Sequence, residues 1–288
     1  HDRLMSAILL AIAILGAVGL VFGALIAVAN RKLRVWEDPR IDIVAGMLPG
    51  ANCGACGVPG CRMFAETLVA GKQKPSGCNV IDDAGAASIA AYLGVDAGTA
   101  TKRVARVACA GGWSVAVQQA DYAGLESCAA ASTVAGGGKG CSWGCLGFGD
   151  CAVACSFDAL HMNSDGLPEV DVTRCTACGD CVDACPKGLF SILPLDQRLF
   201  VQCRSALEGD EVLAQCRVGC TACGKCALDA APGLIEMRRG LPVIDYAMIA
   251  AATPGVTRRC PTGAIVWLEG AQRFAPAVSD SKPLAGVH

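Results

Sequence analysis

One stretch limits the fold more than any other: Cys175-x2-Cys178-x2-Cys181-x3-Cys185-Pro186. Thiols two residues apart can face one point only where the chain wraps tightly around it, and the proline ends the wrap. Structural zinc sites are usually built from two separated C-x-x-C pairs that close a tetrahedron. A third cysteine at the same short spacing departs from that plan. The run has the spacing of bacterial [4Fe–4S] ligation, in which three cysteines hold one cluster and the fourth reaches its neighbour. Small residues between the thiols let backbone N–H groups approach cluster sulfur, as in anion-binding nests.

A neighbouring cluster needs ligands of its own. Cys141-x3-Cys145-x5-Cys151-x3-Cys155 lies upstream, with Phe157-Asp158-Ala159-Leu160 as a strand-like exit. The crossed two-cluster pattern assigns Cys141, Cys145, Cys151 and Cys185 to one cluster. Cys155, Cys175, Cys178 and Cys181 go to the other. A third unit repeats the start of the run as Cys220-x2-Cys223-x2-Cys226, but Ala230 stands where a fourth cysteine belongs. There is no thiol near Ile249, Ala252 or Gly255, and only Cys260-Pro261 survives. The reading is a two-cluster module that kept one site: Cys220, Cys223, Cys226 and Cys260.

A different pattern comes first: Cys53-x2-Cys56-x4-Cys61-x16-Cys78, within LPGANCGACGVPGC. Gly50, Gly54, Gly57 and Gly60 give that loop access to positive φ. An amphipathic helix over 62–70 carries the chain away and back to Cys78. Four thiolates suit one cubane, with zinc as the rival occupant.

These sets use sixteen of the 20 cysteines. Cys109, Cys128, Cys203 and Cys216 are left, and are read as buried, reduced side chains behaving as small hydrophobes. The alternative is a further metal site or exchange of ligands, such as Cys216 in place of Cys220. The chain also repeats itself. Val107-Ala-Cys109 precedes Cys141-x-x-Gly144-Cys145, and Val201-Gln-Cys203 precedes Cys216-x-x-Gly219-Cys220. The repeat reads as a duplicated module.

So many thiols are metal ligands rather than disulfides only in a reducing compartment. Residues 4–29 carry no charge. At 1.5 Å per residue they make about 39 Å of helix, enough to cross a hydrocarbon core of about 30 Å. Asn30, Arg31, Lys32 and Arg34 follow, so the positive-inside rule puts the rest in the cytoplasm. A signal peptide would have a shorter apolar region and a cleavage site. Trp36 suits a membrane edge. Gly16, Gly19 and Gly23 share the small-residue spacing that lets membrane helices approach closely.

The expected organisation is a transmembrane anchor (1–30), a linker (31–41) and a four-Cys [4Fe–4S] domain (42–80). A connecting region (81–140), a two-cluster module (141–193), a connector (194–215), a one-cluster degenerate module (216–266) and a tail (267–288) follow. The fold class is α+β: one transmembrane helix, a small Cys-rich domain and ferredoxin-like modules. A net charge of −2 gives no field for nucleic acid. Ala135–Gly140 lacks the spacing of a phosphate loop. No nucleophile or acid–base constellation is visible, and His161 is read as a surface or structural residue. Four [4Fe–4S] clusters and no catalytic residues describe a relay of single electrons; an iron–sulfur scaffold or storage protein is the reading from another class.

The anchor, the LPGANCGACGVPGC motif with its distant fourth cysteine, and the C-x-x-G-C-L-G sequence at Cys141 together resemble the RnfB family. These are the B subunits of Rnf ion-translocating ferredoxin:NAD oxidoreductases. The resemblance runs over nearly the whole chain. It implies a component of the bacterial or archaeal cytoplasmic membrane whose clusters face the cytoplasm and take electrons from reduced soluble ferredoxin. Other subunits of such a complex carry flavin, bind NAD and move Na⁺ or H⁺. A homologous complex that reduces a redox-sensing transcription factor uses the same parts. The departures are the C-x5-C step before Cys151, Cys78-Asn79-Val80 after the first motif, and the empty half of the last module.

Overall fold

The computed structural model describes residues 2–33 and 37–274. Arg34, Trp36 and residues 275–288 lie outside that range. Helix α1 (Asp2–Leu33) is one continuous helix ending in Arg31 and Lys32. Its Leu9–Leu33 segment has a mean hydropathy of 2.8, with no residue buried against the rest of the chain. It is long and apolar enough to cross a membrane. A helix is the natural form there, since it satisfies its own backbone hydrogen bonds where no water is available.

The first Cys-rich unit is helical. Helices α2 (Arg40–Met47), α3 (Cys61–Val69) and α4 (Asp83–Leu93) enclose a core of Val44, Phe64, Leu68 and Ile89. Helix α3 is the one expected over 62–70. Asp82 caps α4 by accepting from the Gly85 N–H at 2.8 Å, and Gly94 ends it in the left-handed region.

The remainder is built twice on one plan. Strand β1 (Arg103–Val107) pairs antiparallel with β4 (Phe190–Pro194), Val107 opposite Phe190, and encloses the hairpin β2 (Leu160–Met162) and β3 (Pro168–Val170). Strand β5 (Leu199–Val201) pairs with β8 (Ile265–Trp267) around the hairpin β6 (Ile235–Arg238) and β7 (Leu241–Ile244). The first unit also carries α5 (Cys128–Ser132), α6 (Asp150–Val153) and α7 (Asp180–Ala184). The second carries α8 (Gly209–Gln215) and α9 (Lys225–Asp229). Each first strand lies upstream of its cysteine loops, within segments read from sequence as connectors (81–140 and 194–215).

Small apolar cores back each unit: Val104, Leu160, Leu167, Leu189 and Phe190 in one, Leu199, Leu234, Ile235, Ile244 and Ile265 in the other. Each fully buried side chain of this size stabilises by about 1.5–3 kcal/mol. The cysteines sit on the loops that these cores support.

Candidate iron–sulfur centres

Three loops have the same backbone design. They run Cys145–Cys151, Cys175–Cys181 and Cys220–Cys226, and each leads into a short helix, α6, α7 or α9. Two residues after the first cysteine the chain takes a positive φ: 83° at Gly147, 62° at Ala177 and 57° at Ala222. Alanine rarely adopts this conformation, and holding it in a site loop stores local strain. Two residues before the last cysteine comes a second positive φ: 81° at Gly149, 102° at Gly179 and 69° at Gly224. The double reversal brings peptide N–H groups onto the thiols: Gly147 on Cys145, Asp180 on Cys178 and Ala222 on Cys220.

Each loop encloses a void lined by four cysteines. Cys155, Cys175, Cys178 and Cys181 line one. Cys220, Cys223, Cys226 and Cys260 line the second. Cys128, Cys145, Cys151 and Cys185 line the third. Cys155 and Cys185 each lie with the other run's cysteines, as crossed ligation requires. Among the described residues no three His, Cys, Asp or Glu converge on a point that could hold a single ion. A lone zinc needs thiolates about 2.3 Å from one centre. Four thiols around a void suit a cluster instead.

Cys141 is the exception to the sequence reading. It lines a different cavity, and Cys128 takes the fourth place beside Cys145, Cys151 and Cys185. Superposing the loops by sequence gives the reason. Gly149-Asp150-Cys151 matches Gly179-Asp180-Cys181, which puts Phe148 where the other loops have Cys178 and Cys223. The C-x5-C step is thus a C-x2-C-x2-C run whose middle thiol is phenylalanine. Phe148 turns away and meets Tyr122 edge-on, ring centres 5.4 Å apart. Cys128 at the start of α5 supplies the thiol. Asp150 fixes it there, accepting from the N–H groups of Cys128 (2.8 Å) and Ala129 (2.9 Å) and from the Ser127 hydroxyl (2.9 Å). Burial works to raise the Asp150 carboxyl, but these donors outweigh it and hold it below the usual range. The repeated G-D-C triplet is the sequence signal that points to this exchange.

The half of the second unit that lacks cysteines is filled with carbon. Ala230, Tyr246, Ile249, Ala252 and Val256 pack together with Leu234 and Ile244. In the N-terminal Cys-rich unit, Cys56, Cys61 and Cys78 rest against the core around Phe64. The four glycines 50, 54, 57 and 60 all have positive φ. Asn52 ties the loop to α3 by accepting from the Cys61 N–H at 2.8 Å. His161 is exposed, its Nε2 3.7 Å from Asp158.

Backbone donors already point at sulfur. The N–H of Ala159 reaches Cys155 Sγ at 3.4 Å, and that of Leu189 reaches Cys185 Sγ at 3.5 Å. Such bonds orient ligands and tune a bound cluster. Burial pushes the thiols of Cys145, Cys151 and Cys181 up to about 12. At Cys260 burial also acts upward, but N–H donors from Ile265, Thr262 and Ala264 and the Thr262 hydroxyl bring the thiol below its ordinary value. Metal must displace protons to bind such groups.

Two family models match the chain: "Putative Fe-S cluster" over residues 48–80 and "4Fe-4S binding domain" over 167–190. With the four-thiol voids, they define an iron–sulfur protein whose apolar helix has the length of a membrane span. The chain is 38% identical over 262 residues to the B subunit of the ion-translocating oxidoreductase complex of Methanosarcina acetivorans, covering 91% of this chain and 99% of that one. It is 36% identical over 263 residues to the B subunit of the proton-translocating ferredoxin:NAD⁺ oxidoreductase complex of Clostridium ljungdahlii, covering 91% and 93%. With the B subunit of the Na⁺-translocating ferredoxin:NAD⁺ oxidoreductase complex of Acetobacterium woodii it shares 42% over 217 residues, which is 75% of this chain and 65% of that protein. The chain belongs to this family, the B subunits of Rnf ion-translocating oxidoreductase complexes.

Proposed function

We propose that this chain is the electron-relay component of a membrane-bound ferredoxin:NAD oxidoreductase that drives ion translocation. It takes electrons from reduced ferredoxin and hands them toward flavin- and NAD-binding subunits. The modules are ferredoxin-like, and their cubane sites are Cys53, Cys56, Cys61 and Cys78; Cys155, Cys175, Cys178 and Cys181; Cys128, Cys145, Cys151 and Cys185; and Cys220, Cys223, Cys226 and Cys260. A bound [4Fe–4S] cluster accepts and returns one electron at a time. The cysteines hold it, the inward N–H groups stabilise its negative charge, and the apolar cores keep water from it. Arg31 and Lys32 close the apolar span on the side of these sites, which supports a cytoplasmic orientation.

The observation that carries the reading is how the sites are joined. Asn79, next to Cys78, donates to the carbonyl of Thr176, next to Cys175, at 2.9 Å. The Arg103 guanidinium donates to the Ala55 carbonyl at 2.8 Å. The first unit therefore abuts the Cys175 loop, and crossed ligation joins that loop's site to the Cys151 site. A scaffold that stores labile clusters has no need of such contiguity. Anaerobic stopped-flow mixing of the full chain with reduced ferredoxin tests the proposal. Cluster absorbance should bleach within the turnover time of the complex; clusters that stay oxidised on that scale would refute a relay.

A further inference from the structure

We propose that Cys109, Cys141, Cys203 and Cys216 bind a fifth [4Fe–4S] cluster, placed between the two repeated units. The inference rests on the reading that the other four-thiol sites hold cubanes.

These four thiols line one cavity, as each of the three sets already described lines its own. Five sets of four then account for all 20 cysteines. The four come equally from the two repeats. Cys109 and Cys203 follow the equivalent strands β1 and β5. Cys141 and Cys216 open the two C-x-x-G-C turns, whose second cysteines, Cys145 and Cys220, belong to the sites on either side. The hydrogen bonding is duplicated as well. The Cys145 N–H donates to Cys109 Sγ at 3.3 Å, and the Cys220 N–H donates to Cys203 Sγ at 3.3 Å. Ser205 adds an N–H on Cys203 Sγ at 3.4 Å. Donors from ligands of both flanking sites thus end on sulfurs of this one.

Charge and space favour the same occupant. Lys139 lines the cavity and is buried, and its ammonium donates only to the carbonyls of Gly111 and Cys145. Among the described residues no carboxylate pairs with it. A buried cation without a counter-anion is costly, and a cluster held by four thiolates is an anion. Gly111 keeps the space open, since a Cβ there would meet Cys216 Sγ at 2.9 Å. Binding replaces four S–H bonds by four Fe–S bonds and releases four protons, with no change in the oxidation state of cysteine sulfur. The site would sit between the Cys145 and Cys220 sites, whose cysteine N–H groups donate to its sulfurs.

Native mass spectrometry of the detergent-solubilised full chain, purified without oxygen, tests this, with iron and sulfide assays beside it. Wild type should carry five cubanes, about 20 iron and about 20 sulfide, at four thiolates per cluster. Cys203→Ser/Cys216→Ser should lose one cubane and keep the rest. Gly111→Val, which fills the cavity and leaves every thiol, should lose the same one. The wild-type mass decides the matter even if a variant fails to fold. A wild type with four cubanes, or with zinc as a fifth metal centre, would overturn the proposal. A double variant with undiminished iron would do the same. A chain with no cubane at all would overturn the reading of the other sites with it.

Discussion

The Asn79 carboxamide bridges two iron–sulfur units: its Nδ2 donates to the carbonyl of Thr176 at 2.9 Å while its Oδ1 accepts from the N–H of Arg103 at 2.6 Å. The same Nδ2 also reaches the Arg103 carbonyl at 2.9 Å. This residue, directly after Cys78, is thus the joint between the first site and the Cys175 loop. Asn79→Ala removes three hydrogen bonds, each worth about 0.5–1.5 kcal/mol net. Iron content should be unchanged, amide hydrogen exchange in residues 74–80 should quicken, and electrons should pass more slowly between the two sites in stopped-flow traces.

In the proposed ligation Cys128 supplies the thiol that Phe148 replaces in the loop. Cys128→Ser should cost the Cys145–Cys151–Cys185 site its cubane, read as a loss of about four iron per chain. Adding Phe148→Cys restores the C-x2-C-x2-C run and should return that iron. Failure of the double variant to recover it would show that the loop does not share the geometry of its two counterparts.

Cys141 separates the sequence reading from the structure. If Cys141 served the Cys151 site, Cys141→Ser would disturb the spectrum of a cluster that also depends on Cys185. The structure predicts independence: Cys141→Ser and Cys185→Ser should remove different EPR signals from the reduced protein.

Asp150→Ala should weaken the hold on Cys128 alone, because the carboxylate gathers the N–H groups of Cys128 and Ala129 and the Ser127 hydroxyl. Hydrogen bonds to a charged group of this kind are worth about 1.5–3 kcal/mol each. One cluster should then yield its iron to a chelator several-fold sooner, with the others unaffected.

The Leu9–Leu33 span of helix α1 is wholly unburied and contributes nothing to the packing of the cysteine units. Removing residues 2–33 should leave a water-soluble protein with undiminished iron. Precipitation with loss of iron would show that the helix supports the fold.

Much of this is legible in the cysteine spacings. The runs at Cys175 and Cys220 each place their three thiols around one void, because a two-residue gap leaves the chain few ways to turn. The glycines at 50, 54, 57 and 60 announce a loop of positive φ. Two things are hidden. The Cys128 ligand comes from a separate helix, and no local spacing records a thiol brought in by tertiary contact. The strands β1 and β5 lie far from the loops they support, since Val107 finds Phe190 and Val201 finds Ile265 only through long-range pairing. Cys109 and Cys203, at the ends of those strands, therefore read in sequence as buried hydrophobes. The duplication is the one clue to their shared position.

The central claim is that cysteines in sets of four hold cubanes through which single electrons pass. Mössbauer spectroscopy of the ⁵⁷Fe-enriched full chain, before and after stepwise reduction by reduced ferredoxin, tests it most directly. The account predicts that all the iron begins as [4Fe–4S]²⁺ and converts to [4Fe–4S]⁺ as electrons are added. Mononuclear tetrathiolate iron, or cubanes that ferredoxin leaves oxidised, would contradict it.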